Sequence, residues 1–158
     1  MTYSPVNIKE SVIRVLRSSN IDEKFFKIYN DDVFVDDKCV NVEFVSNGDI
    51  LITAANGSPR LVGKHAIIKN INDNSAVVGG FMLLARTSNY DYINASMSSS
   101  WYKKFLGIYV AGGNGAIGNL NKNELDNYDI LIPRDIEQEK IGILFDKLGN
   151  LITLHQRE

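Results

Sequence analysis

The chain has 158 residues, 44% of them hydrophobic and 23% charged, the balance of an ordinary globular protein, with no apolar run near the ~20 residues that span a bilayer. Seventeen basic against nineteen acidic residues leave a net charge of −2, which argues against attachment to nucleic acid through bulk positive charge alone. The single cysteine excludes an internal disulfide framework, and together with an N-terminus (MTYSPVNIKE) that lacks signal-peptide order it points to the cytoplasm.

In chain order, VIRVL (12–16) reads as a strand that ends in a turn at Ser18, Ser19 and Asn20. FFKIY (25–29) and VFV (33–35) are further strand candidates, separated by the turn signal Asn30-Asp31-Asp32. VNVEFV (40–45) alternates, with Val40, Val42 and Phe44 on one face, and predicts another strand. Asn47-Gly48 turns the chain into DILIT (49–53), an apolar run expected of a fully buried strand. ANGSPR (55–60) is a loop on its turn chemistry, and KHAIIKNI (64–71) and AVVGGFMLLAR (76–86) predict two more strands. Residues 90–108 are more helical: a serine among Ser98, Ser99 and Ser100 caps a helix with Trp101, Phe105 and Ile108 on one side. YDILIP (128–133) predicts a short strand ended by proline.

The last segment carries the strongest pattern. Asp135 stands at an N-cap with Gln138 three residues on, the arrangement of a capping box, and Glu137 and Glu139 suit the positive end of the helix dipole. Ile141, Leu144, Leu148, Leu151 and His155 step by three and four residues, a heptad seam to which Ile152 adds. Gly142 and Gly149 recur at one heptad position, either as tolerated glycines or as the mark of a second helix in close approach.

Motifs that would carry chemistry are thin. Gly113-Asn-Gly115-Ala-Ile-Gly118 has the G-x-G-x-x-G spacing of a dinucleotide loop and follows a strand-like LGIYV (106–110). Its sequel, 119–127, has four asparagines in nine positions and predicts no core-facing helix to meet a pyrophosphate, and no acidic residue stands where the ribose partner belongs. The glycines are therefore expected to serve a loop. Glu137, Glu139 and Lys140 begin a solvated helix, and His65 reads as structural. Cys39 follows Lys38 without an evident partner for thiol chemistry, and reads as buried or a bystander. Cys39, His65 and His155 are too few for a zinc site of Cys/His type, so no catalytic, cofactor or metal site is expected.

Four stretches together, GDILITAANGSPRLVGKHAII (48–68), VLRSSNI (15–21), GGNGAIGNLNKNELDNYDILIP (112–133) and IEQEKIGILFDKLGNLITLHQRE (136–158), resemble the specificity subunit of type I restriction–modification enzymes. The resemblance implies an α/β (α+β) fold: a target recognition domain over 1–133 with a compact twisted sheet, then a long C-terminal spacer or dimerisation helix over 134–158. It further implies a chain that does no chemistry, reads double-stranded DNA and scaffolds the modification subunits that methylate adenine. S-adenosylmethionine and ATP with magnesium then belong to the partner subunits, modification and restriction. Family members carry two recognition domains and two spacer helices; one of each here fits an excised domain, a truncated gene or a half-subunit that pairs with itself, the last giving a homodimer through the C-terminal helix. Gly149 departs from the family's usual aspartate.

The rival reading is a protein-interaction half-subunit that docks on modification subunits with little DNA affinity of its own, which the net negative charge favours. For the DNA reading, the first candidates are Asn56, Gly57, Ser58 and Arg60, with Lys64 after them. Asparagine pairs bidentately with adenine and arginine with guanine, while serine and lysine suit phosphate. Ser98, Lys103 and Lys104 form a second strip, with Trp101 either beside them or in the core. Arg14, Arg17 and Asn20 form a third, and Asn114 in the glycine loop offers a further polar contact.

Overall fold

The computed structural model describes residues 12–110 and 118–155. Strand β1 (Val12–Leu16) buries Ile13, Val15 and Leu16, and a hairpin of β2 (Ile21–Asp22) and β3 (Phe25–Phe26) follows. β4 (Val33–Asp36) pairs antiparallel with β1, then come β5 (Ile50–Thr53), β6 (Ala55–Asn56) and β7 (His65–Ile67). β8 (Ala76–Val78) pairs parallel with β1, giving a three-stranded sheet in the order β4-β1-β8. β9 (Met82–Ala85) and β7 flank β5 on either side, both antiparallel, in a second three-stranded sheet. Helices α1 (Tyr90–Ser96) and α2 (Ser100–Tyr109) come next. β10 (Gly118–Asn119) pairs antiparallel with β6, and α3 (Lys122–Asp126) and the 21-residue α4 (Asp135–His155) complete the described chain.

The core explains why β5 reads as one apolar run. A strand alternates its faces, and both faces of β5 are covered. Leu51 faces a cluster with Leu16, Ile21, Val45, Ala66 and Ile68, whereas Ile50 and Ile52 face one with Val62, Met97, Tyr102, Phe105 and Leu120. A third cluster, Ile13, Val15, Val35 and Val77, lies within the β1 sheet. Mixed strands and helices of this kind are the expected α+β architecture.

Several expected elements differ. Residues 40–45 form no strand: Val40 and Phe44 pack on the β1 cluster, Val42 is exposed, and the buried Val45 donates its amide to Ala76 O at 3.0 Å, so the alternation does not mark one buried face. The expected strand over 76–86 breaks at Gly79-Gly80 into β8 and β9, which belong to different sheets. The expected strand over 25–29 shortens to two residues, and 128–133 is irregular, with Tyr128 packed in the α2 cluster and Leu131 exposed. The 90–108 region holds two helices. Ser99 is the N-cap of α2 without a side-chain bond, and Tyr102 and Phe105 are its buried residues while Ile108 is exposed. Because α2 continues to Tyr109, the glycine motif follows a helix and not a strand, which removes the context a dinucleotide loop requires. Cys39 is exposed, not buried.

Helix α4 starts one residue away from the expected box. Asp135 is its first helical residue, and Glu137 Oε2 accepts the Arg134 amide at 3.1 Å, so Arg134 holds the cap position. Gln138 is buried: its Nε2 donates to Pro133 O at 2.9 Å and its Oε1 accepts from Asn89 Nδ2 at 3.0 Å. A Cβ on Gly142 would stand 3.0 Å from Asp91 Cβ and from Tyr92 N, so this glycine lets α4 close onto α1. A Cβ on Gly149 would meet nothing within 4 Å.

Candidate nucleic-acid interface

β5 runs from Ile50 to Thr53, and the elements at its two ends differ in kind. Beyond Thr53 the chain passes through β6 into the loop Asn56–Arg60. Asn56 Oδ1 accepts the Ser58 amide at 2.9 Å, an Asx turn that shapes the loop, and Pro59 opens the short 3-10 turn Pro59–Leu61. Asn56 Nδ2 donates to Ser18 Oγ at 3.1 Å, which ties this loop to the turn after β1 although 38 residues separate them. The glycine-rich loop returns here as well: Gly118 pairs with Asn56 and Asn119 with Ala55. A Cβ on Gly118 would lie 3.2 Å from Val62 Cγ2, 3.4 Å from Val110 Cγ1 and 3.6 Å from Pro59 Cα, so a larger residue here would press on the Val62 side chain. Gly113, Gly115 and Asn114 lie outside the described residues.

Arg17, Gly57, Ser58 and Arg60 are exposed in this cluster and Lys64 is half-buried behind it. None of the salt bridges among the described residues involves Arg17, Arg60 or Lys64. Cations beside backbone turns are suited to phosphate and to the acceptor edge of guanine.

The third strip divides. Asn20 is 0% exposed. Its Oδ1 accepts the Arg17 amide at 2.8 Å, and its Nδ2 donates to Lys27 O at 3.0 Å and to Asp32 Oδ1 at 2.8 Å. Arg14 pairs with the buried Asp32, donates to Tyr29 O at 3.1 Å and stacks over Phe34. Asn20 and Arg14 thus belong to the network that holds the Arg17 turn in shape, Asn20 wholly buried and Arg14 partly so. The second strip stays apart: Ser98 is exposed between α1 and α2, and Lys103 and Lys104 lie on the outer side of α2 without a hydrogen bond to the loop cluster among the described residues. Trp101 packs with Tyr102 and Tyr128 in the core.

His65 is held inside the fold. Its Nδ1 lies 2.9 Å from Asn94 Oδ1 and its ring meets Tyr102 edge-on. Burial lowers its pKa below the ordinary 6.5, with the Lys24 charge acting in the same direction and the Asn94 and Met97 hydrogen bonds opposing. Among the described residues no group of three or more His, Cys, Asp or Glu could hold a metal ion, and no described helix is long and apolar enough to cross a membrane.

At the Ile50 end of β5 the chain meets helices instead. Gly48 packs on Tyr90 of α1, and Lys69, just after β7, pairs with Asp146 of α4 at 2.6 Å. The face of α4 turned from α1 carries Leu144, Leu148, Leu151 and Ile152, all between 44% and 56% exposed. Ile141 is half-buried and His155 exposed, so most of the expected seam is open to solvent.

The sequence reading missed Phe81, which is 72% exposed beside this loop cluster. Gly79-Gly80 marks a turn in the sequence, but nothing in its spacing shows that the ring after it stands exposed. A family model described as type I restriction modification DNA specificity domain matches residues 8–158. No curated protein matches the chain.

Proposed function

Because that match spans nearly the whole chain, the protein belongs to the type I restriction modification DNA specificity domain family, and from this premise we propose how its parts divide the work. Residues 1–133 act as a target recognition domain that reads double-stranded DNA through the loops at the Thr53 end of β5. Residues 134–158 act as the spacer helix, whose open apolar stripe docks on the modification subunit or on the same helix of a second copy. The chain itself does no chemistry. S-adenosylmethionine is held by the modification subunit, and ATP with magnesium by the restriction subunit. Paired copies would place two identical readers across a two-fold axis, so the bound sequence would be an interrupted palindrome.

The observation that supports this best is the convergence of the Arg17 turn, the Asn56–Arg60 loop and the Gly118–Asn119 strand, with Arg17 and Arg60 exposed there and in no salt bridge among the described residues. Selection of duplexes from a random pool by the full chain with its modification subunit tests it. One enriched sequence is expected, and Arg60→Ala should weaken binding to it by about 1–3 kcal/mol in a fluorescence titration. Failure to enrich any sequence would overturn the reading, and unchanged affinity of the variant would remove Arg60 from it.

The exposed stripe of α4 also favours a second reading, a docking module with little DNA affinity of its own. Measuring DNA retention by the chain with and without the modification subunit separates the two.

A further inference from the structure

Phe81 sits at the third position of a four-residue turn closed by the Met82 amide donating to Gly79 O at 3.0 Å. Both sides of the turn are anchored in the loop cluster. Phe81 O accepts the amides of Ala54 at 2.8 Å and Ala55 at 3.1 Å, next to Asn56. On the other side Gly79 N donates to Leu16 O at 2.8 Å, and a Cβ on Gly79 would lie 3.1 Å from that oxygen and 3.7 Å from Arg17 Cγ. The backbone therefore holds Phe81 on a fixed pedestal between the Arg17 turn and the Asn56 loop. Its side chain is 72% exposed, a large apolar surface left in water among polar and cationic neighbours.

Resting on the reading of this chain as a DNA-sequence reader, we infer that Phe81 is a specificity-determining residue that packs against the 5-methyl group of a thymine in the major groove. In that groove asparagine and arginine address hydrogen-bonding edges and phosphates, and the thymine methyl is the apolar group the four bases present. A phenyl ring that makes no hydrogen bond suits the methyl and leaves the polar edges to Arg60 and Arg17.

The test uses the enriched duplex with each thymine replaced in turn by deoxyuridine, which removes the methyl alone. The full chain with its modification subunit should lose about fourfold in affinity at one thymine, the worth of one buried carbon. Phe81→Ala should bind the thymine and uridine duplexes equally, with its melting temperature unchanged, and Phe81→Leu should keep part of the discrimination. If Phe81→Ala does not fold, Phe81→Leu decides on the same duplexes. No thymine whose methyl matters, or discrimination retained without the ring, overturns the inference. A Phe81→Ala variant that keeps the discrimination but loses the modification subunit assigns the ring to a protein contact and overturns it equally. A wild-type chain with no sequence preference would instead sink the underlying reading.

Discussion

At Asn20 and Arg17 the fold gives neighbouring polar residues opposite tasks. Asn20 has its amide wholly inside, bonded to Arg17, Lys27 and Asp32, and it fixes the backbone from which Arg17 projects. Nothing local in SSNI distinguishes the two, because the partners Lys27 and Asp32 arrive from the next hairpin. His65 shows a related effect with a measurable pH signature. Burial disfavours its charged form, so the folded state holds the imidazole neutral below the pH at which the unfolded chain takes up a proton. Its contribution to stability is therefore full above the ordinary 6.5 and is lost as pH falls through that value toward the lower folded one. Urea denaturation at pH 7.5 and 5.5 should show a smaller pH dependence for His65→Gln than for the wild type. Identical slopes would mean that burial of the ring is not responsible.

At the scale of elements, α4 is the one most fully written in the sequence. Its heptad and acidic first turn are local signals, and the helix forms over Asp135–His155. The cap falls one residue earlier than the pattern implies, since Glu137 reaches the Arg134 amide while Gln138 bonds Asn89, Pro133 and, at 3.4 Å, Asp135 Oδ1. The two glycines at one heptad position separate contact from propensity. Gly142 touches α1, so Gly142→Leu should force the helices apart and cost about 1–3 kcal/mol. An alanine Cβ at position 149 has open space within 4 Å, so Gly149→Ala should stabilise the helix by about 1 kcal/mol. Urea midpoints of the two variants moving in the same direction would contradict this assignment. Residues 40–45 and 128–133 were illegible for the opposite reason. Their apolar side chains are half-used by neighbouring clusters, and no adjacent strand offers a full ladder.

Across the whole molecule, β5 separates two surfaces by roughly 10 Å, three residue rises. The Thr53 end carries the loops with Arg17, Asn56 and Arg60, and the Ile50 end carries α1 with α4 docked on it. This geometry makes reading and docking separable by mutation. Leu148→Asp with Leu151→Asp should remove about 3 kcal/mol or more of apolar burial from any helix-mediated complex. The same variant should leave affinity for a duplex with a single half-site unchanged. Light scattering and titration on one preparation check both, and parallel loss of the two would show that the surfaces are not independent.

The amino-acid order alone determined what period and turn chemistry can encode: β1, the buried β5, the turn character of 57–60 and the long amphipathic α4, whereas 55–56, expected in the same loop, pair as β6. Each depends on contacts a few residues apart, or on the burial face that alternation or a heptad declares in advance. Tertiary structure decided the rest: that Asn56 bonds Ser18, that Gly118 returns to Asn56, and that Phe81 stands exposed between Arg17 and Ala55. Those contacts join segments tens of residues apart, and their formation depends on how separate sheets and turns pack together, for which no local spacing carries a signal.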